Sequence, residues 1–267
     1  MITSSANEQV KFIRKLREKK YRNESGVFYI EGIRIVVAAM EKQGRVQTLI
    51  VSPELVQSKI VEEIISIAEK QNTPILEVSA SVFETFALKD GPQGVAAVVN
   101  QEWESFDSID TKKMGLWVGL DEVADPGNLG TIMRTLDAVA GNGIFLIGQC
   151  TDPYDPSSMR ASMGAAFSLK LVKTSIDEIS SFKNATNIQF VGTSDSAIED
   201  YMEINYDSNL VLMMGSERQG LQKRLVDLCD QMVSIPMAGK SDSLNLAVAT
   251  GVMLYEVYNQ HRRNPLK

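Results

Sequence analysis

Three stretches carry residue types that could do chemistry. The first is Asp125-Pro126-Gly127-Asn128-Leu129-Gly130, which leads to Arg134 and Thr135. Asp125 or Asn128 can cap a helix there, and Pro126 and Gly127 make a tight entry. Arg134 falls opposite the apolar stripe of Leu129, Ile132, Met133, Leu136 and Ala140, so core packing does not explain it. It is either an ordinary surface arginine or a functional one. The second stretch is Gly215-Ser216-Glu217-Arg218-Gln219-Gly220-Leu221, behind the apolar run Leu210–Met214. Gly215 permits close approach to the backbone, and Gly220 permits a sharp turn. The third runs Ile235-Pro236-Met237-Ala238-Gly239, then Ser241 and Asp242, then Ser243-Leu244-Asn245-Leu246-Ala247. Here a strand ends in proline, a small-residue loop follows, and a helix is expected to begin behind Ser243. Other chemistries are excluded. His261 is the single histidine of 267 residues, which removes Ser-His-Asp catalysis and histidine-based zinc sites. Cys150 and Cys229 have no metal-type spacing, so no metal is expected.

These stretches need elements to hold them. From Gly115–Asp121 onward, apolar strand-like runs recur at 144–147, 169–172, 188–191, 210–214 and 232–235, with helical periodicity between most of them. A helix is expected over about 127–140 and a longer one over about 244–260. Such alternation predicts a mainly parallel sheet covered by helices, with any ligand at the carboxyl ends of the strands. All three stretches follow such strands. No G-x-G-x-x-G fingerprint is present, because Gly141-Asn142-Gly143-Ile144 has the wrong spacing and lies between helix and strand.

The first hundred residues also alternate, with strands expected at 27–31, 49–51, 75–78 and 95–99 and helices over 33–43 and around Ile60–Ala68. The polar, acidic stretch 101–113 is expected to be a linker. The division is therefore 1–100 as a first domain, 101–113 as linker and 114–267 as a second domain. Charge is uneven. Residues 1–26 hold seven Lys and Arg against three Glu, a balance of +4 in a chain of net charge −7. At helical spacing Lys11, Arg14, Lys15 and Arg22 share one face while Val10, Ile13 and Leu16 share another, which reads as a footprint for a polyphosphate or as a solvated helix face. No apolar run reaches the roughly 18–20 residues that span a bilayer, and the start is polar, so a soluble cytoplasmic protein is expected.

In residues and order, D-P-G-N-L-G-T-I-M-R-T, M-G-S-E-R-Q-G-L and I-P-M-A-G with S-L-N-L-A-V-A resemble the SpoU-type (TrmH-like) branch of the SPOUT RNA ribose 2′-O-methyltransferases. Arg160-Ala161-Ser162-Met163-Gly164-Ala165 is similar to that family too. The first half, through Tyr29-Ile30-Glu31-Gly32 with Arg34, resembles the small ribosomal-protein-like RNA-binding domain that often precedes the catalytic one. Two departures are Ala247 and Ser157, where the family often has Ser and Lys.

The resemblance implies an α/β fold in which a small α/β RNA-binding domain precedes a trefoil-knotted, parallel-sheet catalytic domain. It implies S-adenosylmethionine as cofactor, held by Gly215, Ile235, Met237, Ser243 and Leu244, and a homodimer with no membrane or metal. Arg134, Asn128, Glu217 and Asn245 would be the catalytic set. A guanidinium rarely gives up its proton, so Arg134 is expected to stabilise a developing alkoxide rather than act as a base. Lys11, Arg14, Lys15, Arg22, Arg34 and Arg160 would bind RNA. The expected activity is 2′-O-methylation of a ribose in ribosomal RNA. The alternatives are transfer RNA methylation, a resistance role on ribosomal RNA, and a non-catalytic RNA-binding or assembly factor of the same fold.

Overall fold

The computed structural model describes residues 1–263. It divides into two compact units. One comprises 1–102 with 152–167, the other 103–151 with 168–267, of which 264–267 lie outside the described residues.

The first unit is built on a four-stranded sheet of β1 (Val27–Glu31), β2 (Val46–Val51), β3 (Ile75–Glu77) and β4 (Val95–Asn100), in the order β1-β4-β2-β3. β4 runs antiparallel to both β1 and β2, and β3 is parallel to β2. Val10, Ile13 and Leu16 pack with Val27, Tyr29 and Phe83 into one core, so the apolar half of the expected N-terminal pattern holds. The continuous basic face does not. Two helices form, Glu8–Lys15 and Lys19–Ser25, the second closed by Gly26 at φ +69°. Between them the Arg22 guanidinium takes the Leu16 and Arg17 carbonyls at 2.9 and 2.7 Å. Residues 152–167, placed by the sequence division in the second domain, cluster here because Tyr154 and Phe167 pack on Phe28, with ring centroids 4.5 and 6.3 Å away.

Among the described residues the second unit holds seven strands: β5 (Leu116–Asp121), β6 (Gly143–Ile147), β7 (Lys170–Thr174), β8 (Gln189–Thr193), β9 (Glu199–Asp200), β10 (Leu210–Met214) and β11 (Gln231–Ser234). Every pairing is parallel, in the order β7-β6-β5-β10-β8-β11-β9. The chain steps outward from β5 to β6 and β7, while β10 lies on the other side of β5. The boundary between β5 and β10 is a switch point, where loops diverge and leave a crevice. The expected linker is part of this unit from residue 103: Phe106 stacks on Phe145 at 5.3 Å and Ile109 is buried. Its aromatic and aliphatic side chains, sparse among polar ones, are enough to anchor it. Helix Pro126–Ala138 packs against helix Leu246–Arg263, which begins two residues later than its periodicity predicts.

Candidate active site

The first loop leaves β5 and enters helix Pro126–Ala138. Asp125 is its cap, accepting the Asn128 N–H at 2.6 Å, with Pro126 in the first turn where no donor is needed. The Asn128 side chain is thereby free to face outward. Its Nδ2 donates to Glu217 Oε1 at 2.7 Å, and its Oδ1 accepts from Asn245 Nδ2 at 3.0 Å. Asn245, rather than the expected Ser243, caps the last helix, since its Oδ1 accepts the N–H groups of Ala247 and Val248 at 2.9 and 3.3 Å. One chain of side-chain amides and a carboxylate thus ties three loops together.

The second loop follows β10. Ser216 and Gly220 exchange backbone hydrogen bonds of 3.2 and 3.0 Å, closing a tight ring. A Cβ on Gly215 would lie 2.0 Å from the Gly220 carbonyl carbon, so only glycine fits there. The buried carboxylate of Asp121 holds the far side of the loop, accepting from Gln222 N and Nε2 at 2.8 Å each.

The second and third loops, with the segment behind β8, surround a cavity of about 750 Å³, within the usual size range of small-molecule sites; the first loop does not line it and joins it through the Asn128 hydrogen bonds. Gly215, Ile235, Met237, Ser243 and Leu244, the five residues expected to hold the cofactor, all line it, as do Glu217 and Asn245. Sequence reasoning missed the wall made by Thr193, Ser194, Asp195 and Ser196. The available signal was their place directly behind the parallel strand β8, with three hydroxyls and a carboxylate in four residues. Apolar wall from Ile235, Met237 and Leu244 combines with the carboxylates of Asp195, Glu217 and Asp242. That combination of apolar wall and carboxylate acceptors suits a ligand with a flat apolar part and cationic sulfonium and amino groups, so the residues present fit S-adenosylmethionine.

Arg134 is exposed and has no hydrogen-bond or ion-pair partner among the described residues. It is not part of the cavity lining and stands on the same helix as Asn128, nearly two turns on. Neither cysteine offers a competing nucleophile, because burial pushes the Cys150 thiol to about 11 and the Cys229 thiol to about 12. Among the described residues no group of three or more His, Cys, Asp and Glu could hold a metal, and no helix is long and apolar enough to cross a membrane.

The residues expected to meet RNA separate into three kinds. Lys11, Arg14 and Lys15 stay at or near the surface, engaged with Glu8 at 2.7 Å, the Ser5 carbonyl at 2.8 Å and the Tyr21 ring at 5.2 Å. Arg34 and Arg160 are exposed and line one cavity of the first unit. Arg22 is a correction. It is 1% exposed and paired with Asp152 at 2.8 Å and Asp155 at 3.3 Å, so it cannot touch RNA without unfolding its surroundings.

A parallel α/β sheet with a cofactor-sized cavity behind the carboxyl ends of β8, β10 and β11, and basic groups on a separate unit, fits a group-transfer enzyme with a polyanionic substrate. Residues 115–255 match the SpoU rRNA Methylase family, and residues 7–97 match the MRM3-like substrate binding domain. The 23S rRNA (uridine(2479)-2′-O)-methyltransferase of Streptomyces viridochromogenes is 32% identical over 92% of this chain and 87% of its own. The 23S rRNA (guanosine(2553)-2′-O)-methyltransferase RlmP of Bacillus subtilis is 28% identical over 96% of this chain and 98% of its own. An AdoMet-bound rRNA methyltransferase from Sinorhizobium meliloti superposes with a TM-score of 0.88 at 36% identity, covering 100% of this chain and 98% of that one. The chain belongs to the SpoU rRNA methylase family, RNA 2′-O-ribose methyltransferases of the SPOUT fold that use S-adenosylmethionine.

Proposed function

We propose that the protein methylates the 2′-oxygen of a ribose in ribosomal RNA. The observation that carries this reading is the hydrogen-bonded chain Asn245–Asn128–Glu217, which ties the first motif loop to the two loops that line the 750 Å³ cavity. S-adenosylmethionine, held by Gly215, Ile235, Met237, Ser243 and Leu244, supplies an electrophilic methyl group on a sulfonium. The chain's own residues must do the rest: align the ribose hydroxyl with that methyl and steady the charge on the 2′-oxygen as its proton passes to an RNA phosphate, the sulfonium leaving as a neutral thioether. Arg134, exposed and without a competing carboxylate, is the group for the second task. Asn128 orients the ribose side of the site, and Glu217 and Asn245 hold the loops in register.

The first unit holds the RNA through Lys11, Arg14, Lys15, Arg34 and Arg160. Residues 1–100 supply most of that domain and 114–267 most of the catalytic one. The active form is a cytoplasmic homodimer joined through the last helix, whose Val248, Tyr255 and Tyr258 side chains are exposed. Relatives acting on 23S ribosomal RNA span nearly the whole chain, which supports a ribosomal rather than a transfer RNA substrate.

The test uses methyl-labelled S-adenosylmethionine with ribosomal RNA, ribosomal particles and, separately, transfer RNA. Wild-type protein is expected to label ribosomal RNA, free or in the particle. Arg134→Ala is expected to lose about a hundredfold or more of the rate with cofactor affinity unchanged. Equal rates in the two proteins would remove Arg134 from the chemistry, and label in transfer RNA alone would overturn the substrate.

A further inference from the structure

The first unit contains a second cavity, of about 220 Å³, to which methyl transfer gives no role. Every wall belongs to that unit: the end of β1, the start of helix Ile33–Met40, the turn with Leu88 and Lys89, and helix Pro156–Ser162. Met159 and Met163 give it an apolar, polarisable side. Arg34, Lys89 and Arg160 are exposed on its lining, with no hydrogen-bond or ion-pair partner among the described residues.

Its polar group is Glu31. Oε2 accepts the Leu88 N–H at 2.5 Å and the Tyr29 hydroxyl at 3.4 Å. Oε1 is sealed from solvent and has no hydrogen-bond partner among the described residues. Burial raises the proton affinity of this carboxyl, opposed by the Leu88 hydrogen bond and the charges of Lys89 and Arg17. A buried acceptor left unmade is costly, and a cavity beside it is where a donor can arrive. Gly32, at φ +108°, keeps the approach narrow, since a Cβ there would lie 3.3 Å from Gln93 Oε1, which accepts the Ile33 N–H.

A flat apolar body, one N–H donor edge and flanking negative charge describe a nucleotide. We propose that this cavity takes a single unstacked nucleobase bearing an exocyclic amino group (adenine, cytosine or guanine), with Glu31 Oε1 accepting from the amine. Met159 and Met163 pack on the base, and Arg34, Lys89 and Arg160 meet the phosphates beside it. Unpaired RNA is read this way, by bases turned out of the stack onto apolar side chains and hydrogen-bonded at their edges. Uracil is disfavoured, because it lacks the amine and its one ring N–H donor is flanked by two carbonyl oxygens that a carboxylate repels. The inference rests on the RNA-substrate reading and deepens it, assigning the first unit a base preference in addition to a charge footprint.

The test is a titration of full-length protein labelled at its methionine methyl groups, followed by NMR at Met159 and Met163. Probes are cytidine 5′-monophosphate, uridine 5′-monophosphate, ribose 5-phosphate and the trinucleotide CpCpC. Cytidine monophosphate is expected to bind about tenfold more tightly than uridine monophosphate, the value of one hydrogen bond to a charged acceptor. Glu31→Gln, which keeps the volume and turns an acceptor into a donor, is expected to abolish or reverse that preference. Equal binding of the two nucleotides by wild-type protein, or equal methionine shifts with ribose 5-phosphate, overturns the proposal without recourse to the variant. CpCpC binding more tightly than the mononucleotide identifies an RNA strand as the source; equal affinity points to a free nucleotide and overturns the RNA assignment. Methyl transfer is read separately by label, so a protein that transfers no methyl yet prefers cytidine loses only the enzymatic reading.

Discussion

Arg22 and Arg134 both sit on helices, and they end in opposite surroundings. Arg22 is sealed among two carboxylates and two carbonyls, while Arg134 stands exposed with no partner among the described residues. Removing Arg22 strands a buried charge on Asp152 and two carbonyls that lose their donor. Arg22→Ala is therefore expected to cost about 3–5 kcal/mol, seen as a lower urea midpoint at unchanged slope, whereas Lys11→Ala should stay within about 0.5 kcal/mol. A midpoint near wild type for Arg22→Ala would show that Asp152 finds water or another cation. This contrast sets the limit of sequence reading at the residue scale. The stripe Val10, Ile13, Leu16 is visible as periodicity. The inward turn of Arg22 depends on Asp152, 130 residues away, and no local pattern reports that pairing.

The first and second loops leave neighbouring strands, β5 and β10, while the third leaves β11, two strands beyond β10, and reaches back through Asn245. Proline, glycine and cap residues make each loop legible as a turn, and five cavity residues follow from motif resemblance. The tie between the loops is invisible locally, since Asn128 reaches Glu217 across 89 residues and Asn245 across 117. The hydroxyl-rich wall behind β8 was overlooked for a related reason: its side chains become a wall only once β8 lies between β10 and β11. Asn128 is both donor and acceptor in this tie, so Asn128→Ala frees Glu217 and Asn245 together. Little is buried there, and the fold is expected to lose only about 1 kcal/mol, while cofactor affinity drops about tenfold as the loops lose their common register. Asn128→Asp should be worse for binding, because it sets a carboxylate against Glu217. Calorimetric titration with S-adenosylmethionine beside a thermal melt separates the two effects; unchanged affinity in both variants would leave the tie with no part in shaping the cavity.

At the scale of the molecule, alternating strands and helices led to the parallel sheet, but an exposed apolar face reads the same as a buried one in a hydrophobic pattern. Helix Leu246–Arg263 shows the difference. Leu246, Thr250, Met253, Leu254 and Val257 are buried, whereas Val248 and Tyr255, seven residues apart on another face, are 53% and 48% exposed, with Tyr258 and its stacked neighbour Arg262 beyond them. Two tyrosines, a valine and an arginine have the composition of an interface centre, rich in aromatic residues and arginine. Gly251 lies on the side of this helix that faces helix Pro126–Ala138, where a Cβ added to it would meet the Thr135 side chain at 3.7 Å, an ordinary contact. A second copy covering this face would bury both tyrosines and place two cavities in one particle. Light scattering on wild-type protein is expected to give twice the 29.5 kDa of one chain. Tyr255→Glu sets a charge in the centre of the contact and should return the mass to a single chain with the circular dichroism spectrum unchanged, because Tyr255 supports nothing in the core. A single-chain mass for the wild type at micromolar concentration would remove the homodimer, and a dimer that survives Tyr255→Glu would move its interface to another face.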